Sequence, residues 1–350
     1  MSLGTPAAGR LDSLNMFEAT AGLPEQVAAA VGAAHGLDGL PDRAYVEHVV
    51  VLGMGGSGIA GDLMVAVAGP FLPVPVVVAK SYDLPDFVGR GTLVFAISFS
   101  GNTEETVEAA SEAADAGASL VAVTNGGDLG SLAEDWGAPI VPVPGDIPQP
   151  RAALGAMAIP PLVVLEDIGL FPGASQWVAL AVDQLKRRRD QLVGPGSLAE
   201  EIAGRIDRTI PLIHGAHSLG ATAGLRWRAQ VNENAKTPAF SAVYPELCHN
   251  EIAGWGLLGD VTRQVMTLVN LRHDAEHPQV VRRFEYVTEL LGEVVSDVVE
   301  VRAEGEGDLA QLLDLVLIGD FVSLHLAARA GIDPGPVPVL EQLKQRLLEA

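Results

Sequence analysis

Cysteine occurs once in the 350 residues, at Cys248, so no disulfide within the chain can staple the fold. Basic residues are scarce as well: 22 Lys and Arg stand against 44 Asp and Glu, for a net charge of −22. A phosphate backbone demands a basic surface, so nucleic acid is excluded as a partner. A small anionic ligand needs only local donors and stays open. No apolar run reaches the roughly 18 residues of a membrane span, and no membrane partner is expected. The opening MSLGTPAAGR has no apolar signal core and reads as a loose tail, which makes a cytoplasmic protein the expectation. What the chain does have is 48% hydrophobic residues. Over this length they can bury a sizeable core and rule out global disorder. At about 150 residues per domain, two domains are expected.

Residues 11–36 have helical character, with Leu14, Phe17, Leu23 and Val27 as apolar contacts. From residue 46 short apolar, β-branched runs alternate with helical patterns. Strands are predicted at 46–52, 74–79, 93–97, 119–123 and 139–143, with helices at 59–67, 103–116 and 129–136 between them. Such alternation implies right-handed crossovers and a parallel sheet, and strands apolar throughout imply burial on both faces. A helix over 152–168 should be kinked or broken by Pro160 and Pro161. A helix over 178–192 carries the basic run 186–189, read as a solvated face. The alternation restarts after Gly194-Pro195-Gly196, with strands at 209–214, 239–244, 263–271 and 294–301 and helices at 219–234, 278–291, 309–330 and 339–348. The fold class expected is α/β: two doubly wound, flavodoxin-like domains in tandem, residues 1–193 and 194–350.

The first strand runs into Gly53-Met54-Gly55-Gly56-Ser57-Gly58. This matches the G-x-G-x-x-G of dinucleotide sites, a weak signal alone. Glycines let the backbone approach an anion, and the following helix N-terminus supplies N–H donors. The third strand runs into Ser98-Phe99-Ser100-Gly101-Asn102-Thr103, which places three hydroxyls beside a glycine at the head of a helix. One hydroxyl would be a cap; three read as a phosphate cradle. A nicotinamide enzyme would want an acidic residue closing the second strand, where Lys80-Ser81-Tyr82 stands instead. A phosphosugar therefore ranks above a dinucleotide. His273 and His277 form H-x-x-x-H, but no glutamate follows the first histidine and Pro278 follows the second, so the pair reads as exposed loop.

The pair GMGGSG and SFSGNTEET resembles the sugar isomerase (SIS) domain, a doubly wound fold that binds phosphosugars. Asn232-Glu233-Asn234-Ala235-Lys236, the stretch from Tyr244 to Ile252, Pro150-Arg151 and the closing Leu340-Glu341-Gln342-Leu343-Lys344 narrow it. Together they are similar to the bifunctional phosphoglucose/phosphomannose isomerase family, from about residue 45 onward. The resemblance implies an aldose–ketose isomerase of glucose 6-phosphate, and of mannose 6-phosphate, with fructose 6-phosphate. By the same resemblance, Ser57, Ser98, Ser100 and Thr103 hold the phosphate, with Gly55 and Gly56 beside it. Glu233 is the base between C1 and C2, His249 and Lys344 open the sugar ring, and Arg151 steadies the enediolate. No metal or cofactor is implied. The histidine comes from the neighbouring subunit, which implies a homodimer. Two departures stand out: Cys248 replaces an asparagine and reads as a buried, inert thiol, and Asp333-Pro334-Gly335-Pro336-Val337 lacks the threonine associated with mannose phosphate. The alternative is a non-catalytic phosphosugar-binding regulator, which would not need Glu233, His249 and Lys344 together.

Overall fold

The computed structural model describes residues 11–349; the expected loose tail at 1–10 lies outside them. Five parallel strands, β1 (His48–Leu52), β2 (Val76–Ala79), β3 (Thr92–Ser98), β4 (Ser119–Thr124) and β5 (Ile140–Pro142), form a sheet in the order β2-β1-β3-β4-β5. Four more, β6 (Ile210–Ala216), β7 (Phe240–Tyr244), β8 (Met266–Arg272) and β9 (Asp297–Arg302), form a second parallel sheet in the order β7-β6-β8-β9. The chain is therefore α/β with two tandem doubly wound units. Strand order reverses between β1 and β3, and again between β6 and β8, so each sheet has a crevice at the carboxyl ends of those strands. Every residue of β3 is buried, as the apolar pattern requires of a strand covered on both faces.

Helix Leu154–Asp167 runs on through Pro160 and Pro161 instead of breaking. Everything from Leu154 to Leu165 is buried, between helices Leu23–Ala34 and Gly55–Val67 among others, and packing on all sides holds the segment against the loss of two N–H donors. The helical stretch 11–36 divides at Gly22 into Met16–Ala21 and Leu23–Ala34. The strand expected from residue 263 begins only at Met266, because its neighbours begin opposite Met266 and Thr267; helix Gly259–Val265 precedes it.

Helix Asp308–Ala330 is the centre of the molecule. It packs on helices Ala174–Leu192, Leu198–Ile206 and His217–Ala235, and one core cluster joins both sheets around it. By length and composition it could cross a membrane, but its apolar window is wholly buried in the protein. Its buried Asp314 pairs with Arg188 at 2.8 Å. Of the basic run 186–189, Lys186 and Arg187 are exposed as expected, but Arg188 is a core residue, held where a buried carboxylate requires a cation.

Candidate active site

The first glycine loop closes β1 and opens helix Gly55–Val67. Ser57, in that helix's first turn, is buried, and its hydroxyl donates to Met157 Sδ at 3.4 Å. It ties the loop to helix Leu154–Asp167 instead of facing outward. The second loop closes β3. Ser98 Oγ accepts from the Gly101 N–H at 3.1 Å and pairs with Thr103 Oγ1 at 2.9 Å. Ser100 is exposed, and its Oγ accepts from the Asn102 N–H. Thr103 precedes helix Glu104–Asp115 without capping it, which leaves first-turn N–H groups unclaimed by a side chain. Gly101, at φ 72, leans on the loop after β4: a Cβ there would fall 1.7 Å from the Gly126 carbonyl oxygen. The cradle is braced by Leu129 N–H to Gly101 O and Asp128 N–H to Asn102 Oδ1, each 2.9 Å. Ser100 and the helix N-terminus are its exposed donors, with the half-buried Thr103 hydroxyl paired to Ser98 beside them, a set suited to a small anion.

Arg151 lies beside the first glycine loop. A Cβ on Gly56 would sit 3.5 Å from Arg151 Cα, so the first loop and the turn Pro150–Ala152 are in close approach. The arginine is 3% exposed. Its Nε donates to Asn234 Oδ1 at 2.7 Å, and its terminal nitrogens donate to Gln149 Oε1, Pro334 O and Gly335 O. The remaining donor faces Glu233, with nitrogen and Oε2 3.6 Å apart. Burial pulls the guanidinium below its ordinary pKa, and the Glu233 charge opposes that. Glu233 stands in the last turn of helix His217–Ala235 with its side chain 31% exposed, a carboxylate within reach of a ligand. Lys236, in the left-handed region at φ 55, donates to Glu233 O and to Pro334 O. Burial, then the charge of Arg151, lowers the Lys236 pKa.

Glu233, Arg151 and the first-loop glycines are therefore brought together. His249 and Lys344 are not joined to them by any contact. The helix carrying Glu233 runs 19 residues back from the carboxyl end of β6, about 28 Å at 1.5 Å per residue. His249 lies just past Tyr244, which pairs with Ala216 at that same carboxyl end, and it is exposed. One chain thus places the two at opposite ends of the second sheet. Lys344 is exposed on helix Pro338–Leu348, which starts just beyond Gly335. Cys248 is half-buried, its thiol pushed up by burial. His273 is buried, not loop-exposed: Nε2 lies 2.9 Å from Ala216 O, and burial lowers its pKa. His277 caps helix Pro278–Gly292 through Nδ1. Among the described residues, no group of three or more His, Cys, Asp or Glu could hold a metal ion. Asn234, Arg226 and Asp320 carry the site's buried wiring and drew no role from sequence; Asn234 was at least inside the quoted motif, the other two gave no signal.

Residues 196–347 match the model described as the bacterial phospho-glucose isomerase C-terminal SIS domain, and residues 45–134 match the SIS domain. The bifunctional phosphoglucose/phosphomannose isomerase of Caldicellulosiruptor bescii is 34% identical over 341 residues, 95% of this chain and 99% of that one. This chain belongs to that family. A more partial relative, the D-glucosamine-6-phosphate 4-epimerase of Sulfolobus acidocaldarius, is 31% identical over 61% of this chain and 65% of its own. The hypothetical protein TT0462 of Thermus thermophilus shares the fold at TM-score 0.72 and 16% identity, over 96% of this chain and 91% of that one. The first matched segment holds β1 to β4 and both loops, and the second holds all four strands of the second sheet and Glu233.

Proposed function

We propose that the protein interconverts glucose 6-phosphate and fructose 6-phosphate by proton transfer through an enediolate. The reading rests on one observation: a 31%-exposed carboxylate, Glu233, faces the one Arg151 donor not engaged elsewhere, and Arg151 packs against the first glycine loop. The phosphate sits on Ser100, Thr103 and the head of helix Glu104–Asp115, while Ser57 and Ser98 hold the two loops in shape. Glu233 takes the proton from C2 of the open-chain aldose and returns it to C1, while the hydroxyl proton of O2 passes to O1, leaving the ketose. Negative charge on the enediolate oxygens is met by the fixed Arg151 guanidinium, a preorganised donor of the kind that contributes most to such steps. This scheme asks nothing of a metal or an organic cofactor.

Ring opening falls to His249 and Lys344. Because His249 lies at the far end of the second sheet from Glu233, it serves the site of a second copy, in a homodimer. Lys344 follows the Pro334–Gly335 turn that already holds Arg151. Mannose 6-phosphate is the lesser substrate, since Gly335 and its neighbours offer no hydroxyl at the turn.

The test is Glu233→Gln, which keeps size and hydrogen bonding but cannot accept the proton. Turnover of fructose 6-phosphate should fall by about 10²–10⁴, and exchange of its C1 hydrogen with deuterated solvent should fall equally. Binding of fructose 6-phosphate should persist. Product analysis by NMR also separates this reaction from epimerisation at C4. Near-normal exchange in the variant would move the base elsewhere, with Glu251 first to examine.

A further inference from the structure

The reaction centre is held from behind by a buried polar chain that the proposed chemistry does not itself use. Arg151 is fixed at two points. Its Nε donates to Asn234 Oδ1 at 2.7 Å, and its backbone carbonyl accepts from the Arg226 guanidinium at 2.5 Å. Both partners belong to helix His217–Ala235, which also carries Glu233. Both are tied in turn to helix Asp308–Ala330. Arg226 donates twice to Asp320, at 2.9 and 2.8 Å, and Asn234 Nδ2 donates to Ser323 Oγ at 2.9 Å. Ser323 Oγ then donates to Asp320 O at 2.6 Å, which closes the chain. Asn234 and Ser323 are fully buried, and Arg151, Arg226 and Asp320 are each at most 5% exposed.

Burial alone does not call for an aspartate and a serine at these positions of the central helix; apolar residues of similar volume often pack as well. What the pair supplies is direction. Asn234 has one amide oxygen and one amide nitrogen to place. Ser323 accepts from the nitrogen, which turns the oxygen onto Arg151 Nε. Asp320 holds the Arg226 fork so that one nitrogen meets the Arg151 carbonyl. With four of the Arg151 donors engaged by Asn234, Gln149, Pro334 and Gly335, the fifth has one direction left, toward Glu233. We propose that Ser323 and Asp320 are positioning residues, which aim Arg151 at Glu233 through Asn234 and Arg226 and so set turnover without touching substrate. The proposal rests on the reading of Arg151 and Glu233 as the reaction centre.

The decisive experiment is a double-mutant cycle on isomerisation of fructose 6-phosphate by the full chain. Ser323→Ala frees the Asn234 amide to turn, and kcat should fall about 10-fold, within the range that misplacement of a reacting group by a fraction of an ångström produces. KM should stay within about two-fold, since the cradle is remote. In an Arg151→Lys background the fork geometry is already lost, so adding Ser323→Ala should change kcat less than two-fold. Ser323→Thr keeps the hydroxyl and should restore most of the lost kcat. Asp320→Asn should behave as Ser323→Ala does; if it fails to fold, the Ser323 cycle alone decides. Full additivity of Ser323→Ala with Arg151→Lys, or a loss in KM in place of kcat, overturns the positioning role. Arg151→Lys and Glu233→Gln measured alongside keep the two readings apart. If both retain full turnover, the reaction centre is wrong; if both lose it and Ser323→Ala does not, only the positioning is wrong.

Discussion

After β1 and β3 the crevice is lined by Ser57, Ser98, Ser100 and Thr103; after β6 and β8 the corresponding crevice holds His217, Arg272 and His273. The strand order at the two points is the same. The difference is in which donors are left over. In the second crevice Arg272 is bound by Glu276 and Glu300, His273 by Ala216 O, and His217 Nε2 accepts from the His277 N–H. In the first, the hydroxyls of Ser57 and of the Ser98–Thr103 pair brace the loops, while Ser100 and an uncapped helix start face outward. A switch point offers a crevice; only unclaimed donors make it an anion site. The second unit contributes instead from the other end of its strands, where helix His217–Ala235 brings Glu233 to face Arg151 of the first unit.

If that division of labour is right, the largest effect comes from splitting it between subunits. Glu233→Gln and His249→Ala should each be nearly inactive as homodimers. Mixed and allowed to exchange, half of the dimers are hybrids in which one site carries both defects and the other neither, so about a quarter of the normal rate should return. No recovery, with exchange verified by a mass-tagged subunit, would place both residues in one chain's site and contradict the separation along the second sheet.

A smaller effect separates the two crevices directly. Ser100→Ala removes an outward hydroxyl from the first and should raise KM for fructose 6-phosphate about 5–10-fold with little change in kcat, because a remote phosphate contact contributes mostly uniform binding. His277→Ala, in the second crevice, should leave KM alone. A KM rise in His277→Ala and none in Ser100→Ala would reverse the assignment.

The strands were legible because β-branched apolar runs ending in glycine have few other fates. Other features depend on what surrounds a segment. Pro160 and Pro161 stay helical since helices enclose them, and residues 263–265 are helical since no neighbouring strand extends to meet them. Which charged residues go inside is settled the same way: Arg188 and Arg226 look like their exposed neighbours in sequence, and only the aspartates of a distant helix make them core residues. Among the hydroxyls, Ser57 and Ser98 face inward and Ser100 outward, a distinction that residue type does not carry. His249 and Lys344 stand on resemblance to the family alone, because nothing within one chain draws them to Glu233.

The smallest effect is on acid stability, and it belongs to the second crevice. His273 is buried against Glu276, His217 and Asp308, and burial is the largest influence, holding its pKa below the ordinary histidine value. A folded state that resists protonation has its full stability above the unfolded pKa, near 6.5. As pH falls below that, the unfolded chain binds a proton that the folded chain refuses, and stability declines until the folded pKa is reached. His273→Gln keeps a donor for the Ala216 carbonyl and removes the titration. Urea unfolding at pH 8 and pH 5.5 should show the native protein losing more stability between the two than the variant does. Hydrogen exchange at the same two pH values should locate the loosening at residues 217–221 and leave the amides of 101–104 protected, since no histidine lies in the first cradle. Equal pH dependence in native protein and variant, or loosening that starts at 101–104, would mean that the second crevice is not the part of the molecule sensitive to acid.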